Sequence, residues 1–567
     1  MGKRQELLRS EPNMPEYRSA AQAAGKAADE LVFWNGRLSI PYNAVDRHAE
    51  GWRANKVALL WEGESGSALE FTFSELRDAS NRVANLLVKH GLGKGDRCFI
   101  FLPRVPELFI SFLAILKVGA VAGTMFSAFG PDAIRDRLKD SGAKFLITNT
   151  ELMQRVSNIR GELPELKSII LTDAGSSGGE TIAFRDSGQM PSSFQPEPMS
   201  PDDFAFMLYT SGTTGKPKGV VHCQNAIVHE YITAKYVLDL KDEDVYWCTA
   251  DPGWVTGIAY EIIGNWACGA TSLIYEGRFD AEKWYSLVDK YKVTVWYTAP
   301  TAVRMLMQAG EAYKKYDLSS LRHLCSVGEP LNPEAIRWGL KAFGLPFHDN
   351  WWQTETGGIM ISNYPSMDIK VGSMGRPFPG VTAAIVDDAG KPLPAGQEGN
   401  IALKPGWPSM MKTIWNNLPK YNEYFKGGWY ISGDRGRMDN DGYFWFIGRA
   451  DDVIKTGGER VGPFEVESAL IEHPAVAEAG VIGKPDQLRG EIIKAFLKLR
   501  PGFSPSPKLE TEIKDYIKKR LAGHAYPREI AFVDSLPKTR SGKIMRRVLK
   551  AREMGLPVGD LSTLEEY

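Results

Sequence analysis

The stretch FAFMLYTSGTTGKPKG, residues 204–219, joins an apolar run to a loop of glycines, hydroxyl residues and lysines. Glycines let a backbone turn tightly and bring its N–H groups up to phosphate oxygens. Lys216 and Lys218 add positive charge to the loop. The spacing differs from the G-x-x-x-x-G-K-[ST] pattern of other nucleotide-binding loops. The stretch therefore predicts a different kind of phosphate-binding loop after a buried strand, with a flexible polar hairpin as the alternative.

On both sides of this loop, segments with helical spacing alternate with short apolar runs. Ser74 is predicted to cap the first helix and Gly91 to terminate it. Further helices are expected to begin near Pro106 and after Pro131. The apolar runs that predict strands are residues 98–102, 120–126, 144–148, 204–210, 271–277 and 293–299. Such alternation predicts a parallel sheet covered by helices on both faces.

The sequence changes character after Arg449. The segment that follows mixes helix and strand signals, with helices expected at 464–472, 508–521 and the basic C-terminus, and strands at 476–483, 491–499 and 529–533. We therefore predict an α/β protein whose large N-terminal domain, residues 1–450, contains several subdomains with mainly parallel sheets. Residues 451–567 are predicted to form a small α+β domain, of an ordinary domain size. The Gly-, Ser- and Pro-rich segment 174–202 is predicted to be a surface connection between subdomains.

Composition argues against several classes of protein. The 567 residues carry a net charge of −1, whereas a general nucleic-acid binder would show a basic excess. The five cysteines form no C-x-x-C pair, which disfavours a zinc site or a disulfide framework and indicates a reducing cytoplasm. The N-terminal segment lacks the apolar core of a signal peptide. Residues 108–129 are apolar but interrupted by Lys117, so we predict a buried helix and strand rather than a membrane span.

Four further motifs follow the loop in order: SVGEP (326–330), DNWWQTETG (349–357), WYISGDRGRMDNDGYFWFIGRADDVIKTGGERV (429–461) and PKTRSGKIMRR (537–547). Together with TSGTTGKPKG, they resemble the motifs of the adenylate-forming superfamily, which contains acyl-CoA synthetases, nonribosomal-peptide adenylation domains and firefly-type luciferases. The resemblance covers about residues 50–555. It implies that residues 1–450 are an AMP-binding (adenylation) domain and that 451–567 are a C-terminal domain with a catalytic lysine. ATP, Mg²⁺ and coenzyme A are the implied substrates and cofactors.

The resemblance also implies an ATP site. Asp434 would accept hydrogen bonds from both ribose hydroxyls, a role that suits an ionised, acceptor-only carboxylate. Arg449 is also expected at the ribose, and Arg460 at phosphate. The implied ATP-binding residues are Thr210, Ser211, Gly212, Thr213, Thr214, Gly215, Lys216, Lys218, Gly328, Glu329, Pro330, Asp349, Asn350, Trp351, Trp352, Gln353, Thr354, Asp434, Arg449 and Arg460.

Three residues are implied to act in catalysis. Attack of a carboxylate on the α-phosphate brings two anions together, so a lysine that bridges them lowers the barrier. The resemblance gives this role to Lys543. Thr354 would bond the α-phosphate and Glu355 would hold Mg²⁺, a hard cation that prefers oxygen ligands. The exposed basic setting of Lys543 also suggests regulation by a lysine acetyltransferase and a deacetylase.

The resemblance implies a mobile small domain. Asp451 matches the hinge position, and Gly457 and Gly458 match a loop that lines the coenzyme A channel. Enzymes of this kind first bring the catalytic lysine to the adenylate and then swing the small domain to admit coenzyme A, a change that a few hinge residues absorb. In acetate-type relatives the stretch that contains Ile471, His473 and Val476 holds a cation through backbone oxygens. A plain surface histidine before Pro474 is the preferred interpretation of His473.

Two motifs indicate the acid. DPGWVTG (251–257) and the pair Trp351–Trp352 resemble acetyl-CoA synthetases, which places Trp254, Val255, Thr256, Val327 and Trp352 in the acyl pocket. The Trp352 indole would fill the space that a longer chain needs; the alternative is a tryptophan that belongs simply to the core. We expect ATP, a short-chain carboxylate and coenzyme A to give acyl-CoA, AMP and pyrophosphate through an acyl-adenylate. Acetate is the expected acid, and propionate the next.

Other interpretations remain at this point. Ser127 and Ala128 stand where acetyl-CoA synthetases have two glycines, which leaves room for a medium-chain, branched or aromatic acid. A carrier-protein-loading adenylation enzyme is a second alternative, although no aspartate that would meet a substrate amine accompanies the pocket motif. A luciferase-like oxygenase and an inactive nucleotide sensor are further alternatives; the narrow pocket disfavours the first, and the complete ATP motifs disfavour the second.

Overall fold

The computed structural model describes residues 9–14, 16–17, 25–34, 36–211, 217–457, 459–521, 525–539 and 544–558. Within these ranges the chain forms an eight-stranded sheet, a nine-stranded sheet and two five-stranded sheets, together with a short ribbon near the N-terminus. Helices cover both large sheets, as expected for an α/β protein.

The strands, in chain order, are β1 (Phe33–Trp34), β2 (Arg37–Leu38), β3 (Val57–Glu62), β4 (Ala68–Thr72), β5 (Arg97–Phe101), β6 (Val121–Met125), β7 (Phe145–Thr148), β8 (Ser168–Leu171), β9 (Thr181–Ala183), β10 (Phe204–Ser211), β11 (Pro217–Cys223), β12 (Val245–Cys248), β13 (Thr271–Tyr275), β14 (Val295–Thr298), β15 (His323–Ser326), β16 (Phe347–Trp351), β17 (Ile361–Ser362), β18 (Arg376–Pro377), β19 (Ala383–Val386), β20 (Glu398–Leu403), β21 (Thr413–Ile414), β22 (Phe425–Lys426), β23 (Trp429–Met438), β24 (Phe444–Arg449), β25 (Ile454–Thr456), β26 (Glu459–Val461), β27 (Val476–Asp486), β28 (Gly490–Leu499) and β29 (Glu529–Phe532).

The α-helices are α1 (Arg47–Ala49), α2 (Phe73–Lys89), α3 (Pro106–Lys117), α4 (Pro131–Ser141), α5 (Thr150–Ser157), α6 (Ala226–Tyr236), α7 (Gly264–Cys268), α8 (Ala281–Tyr291), α9 (Pro300–Gln308), α10 (Pro333–Phe343), α11 (Leu418–Asn422), α12 (Pro463–Ile471), α13 (Pro507–Arg520) and α14 (Arg546–Met554). Two π-helices span Tyr42–Asp46 and Gly257–Ile263. Short 3₁₀ turns span Arg160–Glu162, Phe184–Gln189, Ala312–Lys315 and Thr354–Thr356.

The two large sheets are mainly parallel. The eight-stranded sheet has the order β21-β11-β10-β6-β5-β7-β8-β9, and all its pairs from β10 to β9 are parallel. The nine-stranded sheet has the order β18-β17-β16-β15-β14-β12-β13-β3-β4 and is parallel from β16 to β3. Strands such as β6 and β13 are buried along their whole length, as strands covered on both faces must be. The predicted α/β class is confirmed.

The smaller sheets lie towards the C-terminus. Strands β19, β20, β22, β23 and β24 form an antiparallel sheet in which the ten-residue β23 is central. Strands β25 to β29 form the last sheet, and its apolar core joins Val466 of α12 and Ile513 of α13 to Leu497 of β28. This core supports the predicted separate α+β unit at the C-terminus, while the division at residues 450 and 451 stays a prediction.

Two local predictions were wrong. Helix α2 is capped by Thr72 and not by Ser74, because the Thr72 hydroxyl accepts from the Glu75 N–H and the Glu75 carboxylate accepts from the Thr72 N–H. Segment 174–202 joins β8 to β10 of one sheet rather than two subdomains, and β9 within it extends that sheet. Asn81 and Asn85 of α2 donate to carbonyls of this segment, which explains why a Gly- and Ser-rich stretch is ordered there.

The apolar stretch 108–129 contains α3 and β6, as predicted. Lys117, at the end of α3, is wholly buried, and its ammonium donates to Asp46 and Asn81 at 2.7 Å each. A buried cation is tolerated only when it is paired in this way. Across the described residues, no helix combines the length and the apolar character that crossing a membrane requires.

Candidate active site

The ends of the predicted phosphate loop lie on two paired strands. Thr210 of β10 is opposite Lys218 of β11 in an antiparallel register. The loop residues Gly212, Thr213, Thr214, Gly215 and Lys216, and the side chain of Ser211, lie outside the described part of the chain. The structure therefore places the base of the loop and leaves the predicted phosphate contacts as predictions.

Lys218 meets Glu355 at this base. The Lys218 ammonium lies 2.9 Å from Oε1 of Glu355, and both side chains are largely buried. The Tyr424 hydroxyl donates to the same carboxylate oxygen at 2.8 Å. The Lys218 ammonium also lies 4.6 Å from the centre of the Tyr424 ring, which stacks nearly parallel on Tyr430. A cation, a hydroxyl and an aromatic face therefore fix the Glu355 carboxylate.

The turn that carries Thr354 and Glu355 follows β16 directly. It ends at Gly357, whose φ of 67° lies in the left-handed region. A Cβ on Gly357 would lie 2.2 Å from the Ser409 carbonyl, so any other residue here would displace the turn. The buried His222 ring contacts the carbonyls of Thr354 and Ser409 through its two nitrogens, at 2.9 and 3.1 Å. The position of Glu355 is thus set by backbone geometry.

Asp434 lies at the other end of the candidate site. It is buried on β23 and opposite Arg449 of β24, whose guanidinium is 3.0 Å from its Oδ1. Its Oδ2 accepts from the Trp351 indole N–H and from the Gln353 amide, at 2.9 Å each. The Gln353 oxygen in turn accepts from the Tyr430 hydroxyl at 2.7 Å. A carboxylate held on two sides is well placed to present its remaining lone pairs to a ligand.

These contacts form one continuous line. It runs from the predicted phosphate end to the predicted ribose end through Lys218, Glu355, Tyr424, Tyr430, Gln353, Asp434 and Arg449. Tyr424 and Tyr430 were absent from the sequence predictions. Tyr430 lies in the motif 429–461 and Tyr424 lies just before it, but nothing in the local sequence indicates contacts with residues some seventy positions away.

The predicted adenine-side residues follow β15. Gly328 has a φ of 93°, and Glu329 beyond it accepts from the Thr301 hydroxyl and pairs with Arg304 at 2.8 Å. Pro330 lines a cleft between this segment and the C-terminal unit. The amide of Asn332 donates to the Ser468 hydroxyl of α12 at 2.8 Å across that cleft. The C-terminal unit therefore rests against the predicted adenine side.

Asp349 and Asn350 are buried in β16. Burial raises the pKa of the Asp349 carboxyl well above its usual value. The Asn350 oxygen accepts from the Tyr297 hydroxyl at 2.9 Å. Both side chains are thus part of the buried strand that precedes the Thr354–Thr356 turn.

The residues expected from the C-terminal unit are more dispersed. Arg460 is exposed on β26, and no hydrogen bond or ion pair of the described residues joins it to Glu355 or Asp434. Gly457 is exposed with a φ of 60°, and Gly458 lies outside the described residues. Asp451 follows β24, with its carboxylate 3.8 Å from Nε of Arg449. The coenzyme A loop, the hinge and Lys543, which is also outside the described part, stay predictions.

The preferred interpretation of His473 was wrong. The side chain is buried rather than at the surface, because it packs against Tyr516 of α13 with ring centres 5.2 Å apart. Its carbonyl accepts from the Val476 N–H at 3.0 Å. The Val476 carbonyl accepts from the Arg500 guanidinium, so this oxygen already bonds a positive group. The cation site at Ile471, His473 and Val476 gains no support from these contacts and stays a prediction.

The predicted acyl pocket is a buried cluster. Val255, Thr256, Val327 and Trp352 each have less than a tenth of their surface exposed. The DPGWVTG turn packs closely on β6, because a Cβ on Gly253 would lie 2.7 Å from the Phe126 backbone nitrogen. The Phe126 ring lies 6.2 Å from the ring of Trp254. Val255, Val327 and Trp352 belong to the same apolar core as Trp351 of β16, and their role as an acyl pocket stays a prediction.

Comparison with known families gives two matches along the chain. The family described as AMP-binding enzyme matches residues 45–415, and the C-terminal domain of AMP-binding enzymes matches residues 465–543. The acetyl-coenzyme A synthetase of Bacillus subtilis (strain 168) is 56% identical over 94% of this chain and 93% of its own length. That of Pyrobaculum arsenaticum is 43% identical over 94% of this chain and 86% of its own.

Two solved structures are similar over nearly the whole chain. The anthranilate CoA ligase AuaEII, in complex with anthranoyl-AMP, has a TM-score of 0.86 at 33% identity, covering 93% of this chain and 99% of that one. The acyl-CoA synthetase of Brucella canis has a TM-score of 0.75 at 36% identity, covering 96% and 99%.

Proposed function

Because the chain belongs to the family of AMP-binding enzymes, we propose that it is an AMP-forming acid–CoA ligase that activates a short-chain carboxylate. Acetate is the proposed acid and propionate the next. The observation that carries the proposal is the continuous line of contacts from Lys218 through Glu355 to Asp434, which joins the predicted phosphate end of the site to the predicted ribose end. The acetyl-coenzyme A synthetases among the relatives support the choice of acid.

The proposed reaction has two steps. A carboxylate oxygen attacks the α-phosphorus of ATP and pyrophosphate leaves, which gives an acyl-adenylate. The thiolate of coenzyme A then attacks the acyl carbon and AMP leaves with the electron pair of the broken C–O bond. Lys218 would neutralise phosphate charge, Asp434 would bind the ribose, and Lys543 would bridge the attacking oxygen and the α-phosphate.

Glu355 is the proposed protein ligand of Mg²⁺. Magnesium commonly takes one or two carboxylates and completes its coordination with water and substrate phosphates. Glu355 suits a metal-binding role because its carboxylate is buried beside Lys218, at the base of the predicted phosphate loop. The contacts from Lys218 and Tyr424 are both made to its Oε1. Among the described residues, no group of three or more His, Cys, Asp and Glu side chains could hold a metal, which agrees with a metal that arrives with the nucleotide. Bound Mg²⁺ would neutralise the leaving pyrophosphate.

The proposal divides the chain into an adenylation domain, 1–450, and a catalytic-lysine domain, 451–567, which would turn about Asp451. The separate apolar core around Val466 and Leu497 supports this division. A cytoplasmic location is also proposed, supported by five unpaired cysteines. Reversible acetylation of Lys543 by an acetyltransferase and a deacetylase is proposed as its regulation.

A rate series tests the function. Purified protein is incubated with Mg-ATP, coenzyme A and acids from C2 to C8, including branched and aromatic acids, and AMP and thioester are measured. We expect thioester and AMP in equal amounts and the highest kcat/KM with acetate. Formation of ADP, or the absence of thioester with every acid, would overturn the proposal. A preference for an aromatic acid would instead indicate a substrate of the kind that the anthranilate CoA ligase binds.

A further inference from the structure

Trp352 is held on two sides by tyrosines that no sequence motif indicated. Its indole N–H donates to the Tyr297 hydroxyl at 3.2 Å. The Tyr260 ring packs perpendicular to the indole, at an interplanar angle of 86° and with ring centres 5.1 Å apart. Both tyrosines are wholly buried, and their own rings are perpendicular at 6.1 Å. The indole is therefore fixed by a hydrogen bond and by an edge-to-face contact at the same time.

Each tyrosine is itself anchored. The Tyr297 hydroxyl, on β14, donates to the Asn350 oxygen of β16 at 2.9 Å. The Tyr260 hydroxyl accepts from the Ile359 backbone N–H at 2.7 Å and lies 2.8 Å from the Thr233 hydroxyl. A tyrosine that accepts one hydrogen bond and donates another has little freedom to turn in a dry interior.

The backbone around Tyr260 is unusual as well. It lies in the π-helix Gly257–Ile263, which begins directly after the predicted pocket residue Thr256. Such π-helical segments are rare and occur frequently at functional sites. The same stretch of chain thus supplies the predicted pocket residue Thr256 and the ring that packs against Trp352.

We propose that Tyr297 and Tyr260 are positioning residues that lock the Trp352 indole across the acyl pocket and thereby set the length of acid that the enzyme accepts. The inference rests on the proposed function and deepens it. A tryptophan wall excludes longer acids only if it cannot turn aside. An unrestrained side chain changes its rotamer at modest cost. The Trp352 indole must break a buried hydrogen bond and an aromatic contact before it can rotate.

The test compares acids on one preparation. The ratio of kcat/KM for butyrate to that for acetate is measured in the parent protein and in Tyr297→Phe, which removes the hydroxyl and keeps the ring. We expect this ratio to rise about fivefold, the factor that corresponds to one buried hydrogen bond. Loss of active protein cancels in the ratio, so a general loss of stability cannot produce the result.

Two further variants complete the test. Tyr246→Phe is the matched control, because Tyr246 is equally buried on the adjacent β12 and no described contact joins its hydroxyl to Trp352. Trp352→Gly is the positive control that removes the wall. The inference requires a raised ratio in Trp352→Gly and in Tyr297→Phe, either alone or combined with Tyr260→Phe, and an unchanged ratio in Tyr246→Phe.

The outcomes separate the inference from the function. If Trp352→Gly accepts butyrate and Tyr297→Phe keeps the parent ratio, also when it is combined with Tyr260→Phe, the positioning role is wrong and the ligase function stands. If Trp352→Gly leaves the ratio unchanged, the indole is no wall and the inference is overturned with it. If the parent protein forms no thioester from any acid, both the function and the inference are overturned.

Discussion

The Lys218 ammonium lies 2.9 Å from Oε1 of Glu355, and the Tyr424 hydroxyl donates to that same oxygen. The lysine proposed to bind phosphate and the carboxylate proposed to bind Mg²⁺ thus neutralise each other's charge in this structure. Binding of Mg-ATP must separate this pair, because each charge then takes a partner from the ligand. Once Lys218 turns to phosphate, the Tyr424 hydroxyl is the described contact that still orients the Glu355 carboxylate, so this hydrogen bond matters more in the nucleotide-bound state.

Tyr424→Phe is therefore expected to raise the KM for Mg-ATP about tenfold or more, the effect of one hydrogen bond to a charged group. Steady-state kinetics at several Mg²⁺ concentrations measure it, and the variant should need more Mg²⁺ for half-maximal rate. Tyr421→Phe is the control, since Tyr421 lies on the same segment and its ring packs on Phe425. Equal KM values in the two variants would contradict the role of Tyr424.

Lys543→Ala is expected to lower pyrophosphate release from acid and ATP by at least about 100-fold, because it removes the charge that bridges the two anions. Reaction of supplied acyl-adenylate with coenzyme A should continue near the parent rate. Lys550→Ala, in the same basic run but paired with Glu491, is the control and should keep both steps. Pyrophosphate release near the parent rate in Lys543→Ala would remove this residue from catalysis.

Lys117→Met is expected to lower the free energy of unfolding by about 3–5 kcal/mol, because it leaves the Asp46 carboxylate buried without its cation. Urea unfolding followed by circular dichroism measures the change. The double variant Lys117→Met/Asp46→Leu should recover most of the loss, since no charge then stays buried. Lys144→Met removes the more exposed pair with Asp96 and should cost under about 1 kcal/mol. Similar costs for the two single variants would show that burial of the pair is unimportant.

Glu62 should make stability depend on acidity. Burial raises the pKa of this carboxyl, but hydrogen bonds from Lys283, Lys290 and Tyr291 lower it by more. The net result is a pKa of about 2, against an ordinary 4.5. A lowered folded pKa stabilises the protein above pH 4.5, and this stabilisation is lost as the pH falls towards 2. Its full size is of the order of 3 kcal/mol.

Glu62→Gln is accordingly expected to destabilise the protein at pH 7 and to flatten the decline in unfolding free energy between pH 5 and the acid limit. Urea titrations at a series of pH values measure the slope. Glu180→Gln, at an exposed acid paired with Arg160, should keep the parent slope. A parent-like slope in Glu62→Gln would show that another group governs acid unfolding.

The sequence predicted the class of fold well because alternation of helices and buried strands is a local signal. Strand β10 was predicted as residues 204–210 and spans Phe204–Ser211. The cap of α2 was misplaced by two residues, since Thr72 and Ser74 are both good capping types and the choice depends on the partner Glu75. Helix and strand ends are decided by such pairs rather than by composition.

Less of the candidate site than of the fold could be predicted from the sequence. Glu355 and Asp434 could be singled out because short motifs surround them, whereas Tyr424 and Tyr430, which help to join them through Gln353, were not among the predicted site residues. Tyr424 bonds Glu355 from 69 positions away, and Tyr297 bonds Trp352 from 55 positions away. Such contacts form only when distant strands are assembled, so a single sequence contains no periodic signal for them.

One arginine serves two neighbours in the candidate site. Arg449 holds the proposed ribose carboxylate Asp434 at 3.0 Å and lies 3.8 Å from Asp451, the proposed pivot of the small domain. If a rotation at Asp451 changes how Arg449 holds Asp434, it changes the affinity for the nucleoside. Thermodynamic reciprocity then requires the nucleoside to bias the rotation by the same factor. The nucleotide would act as an effector of domain orientation as well as a substrate, through a single guanidinium.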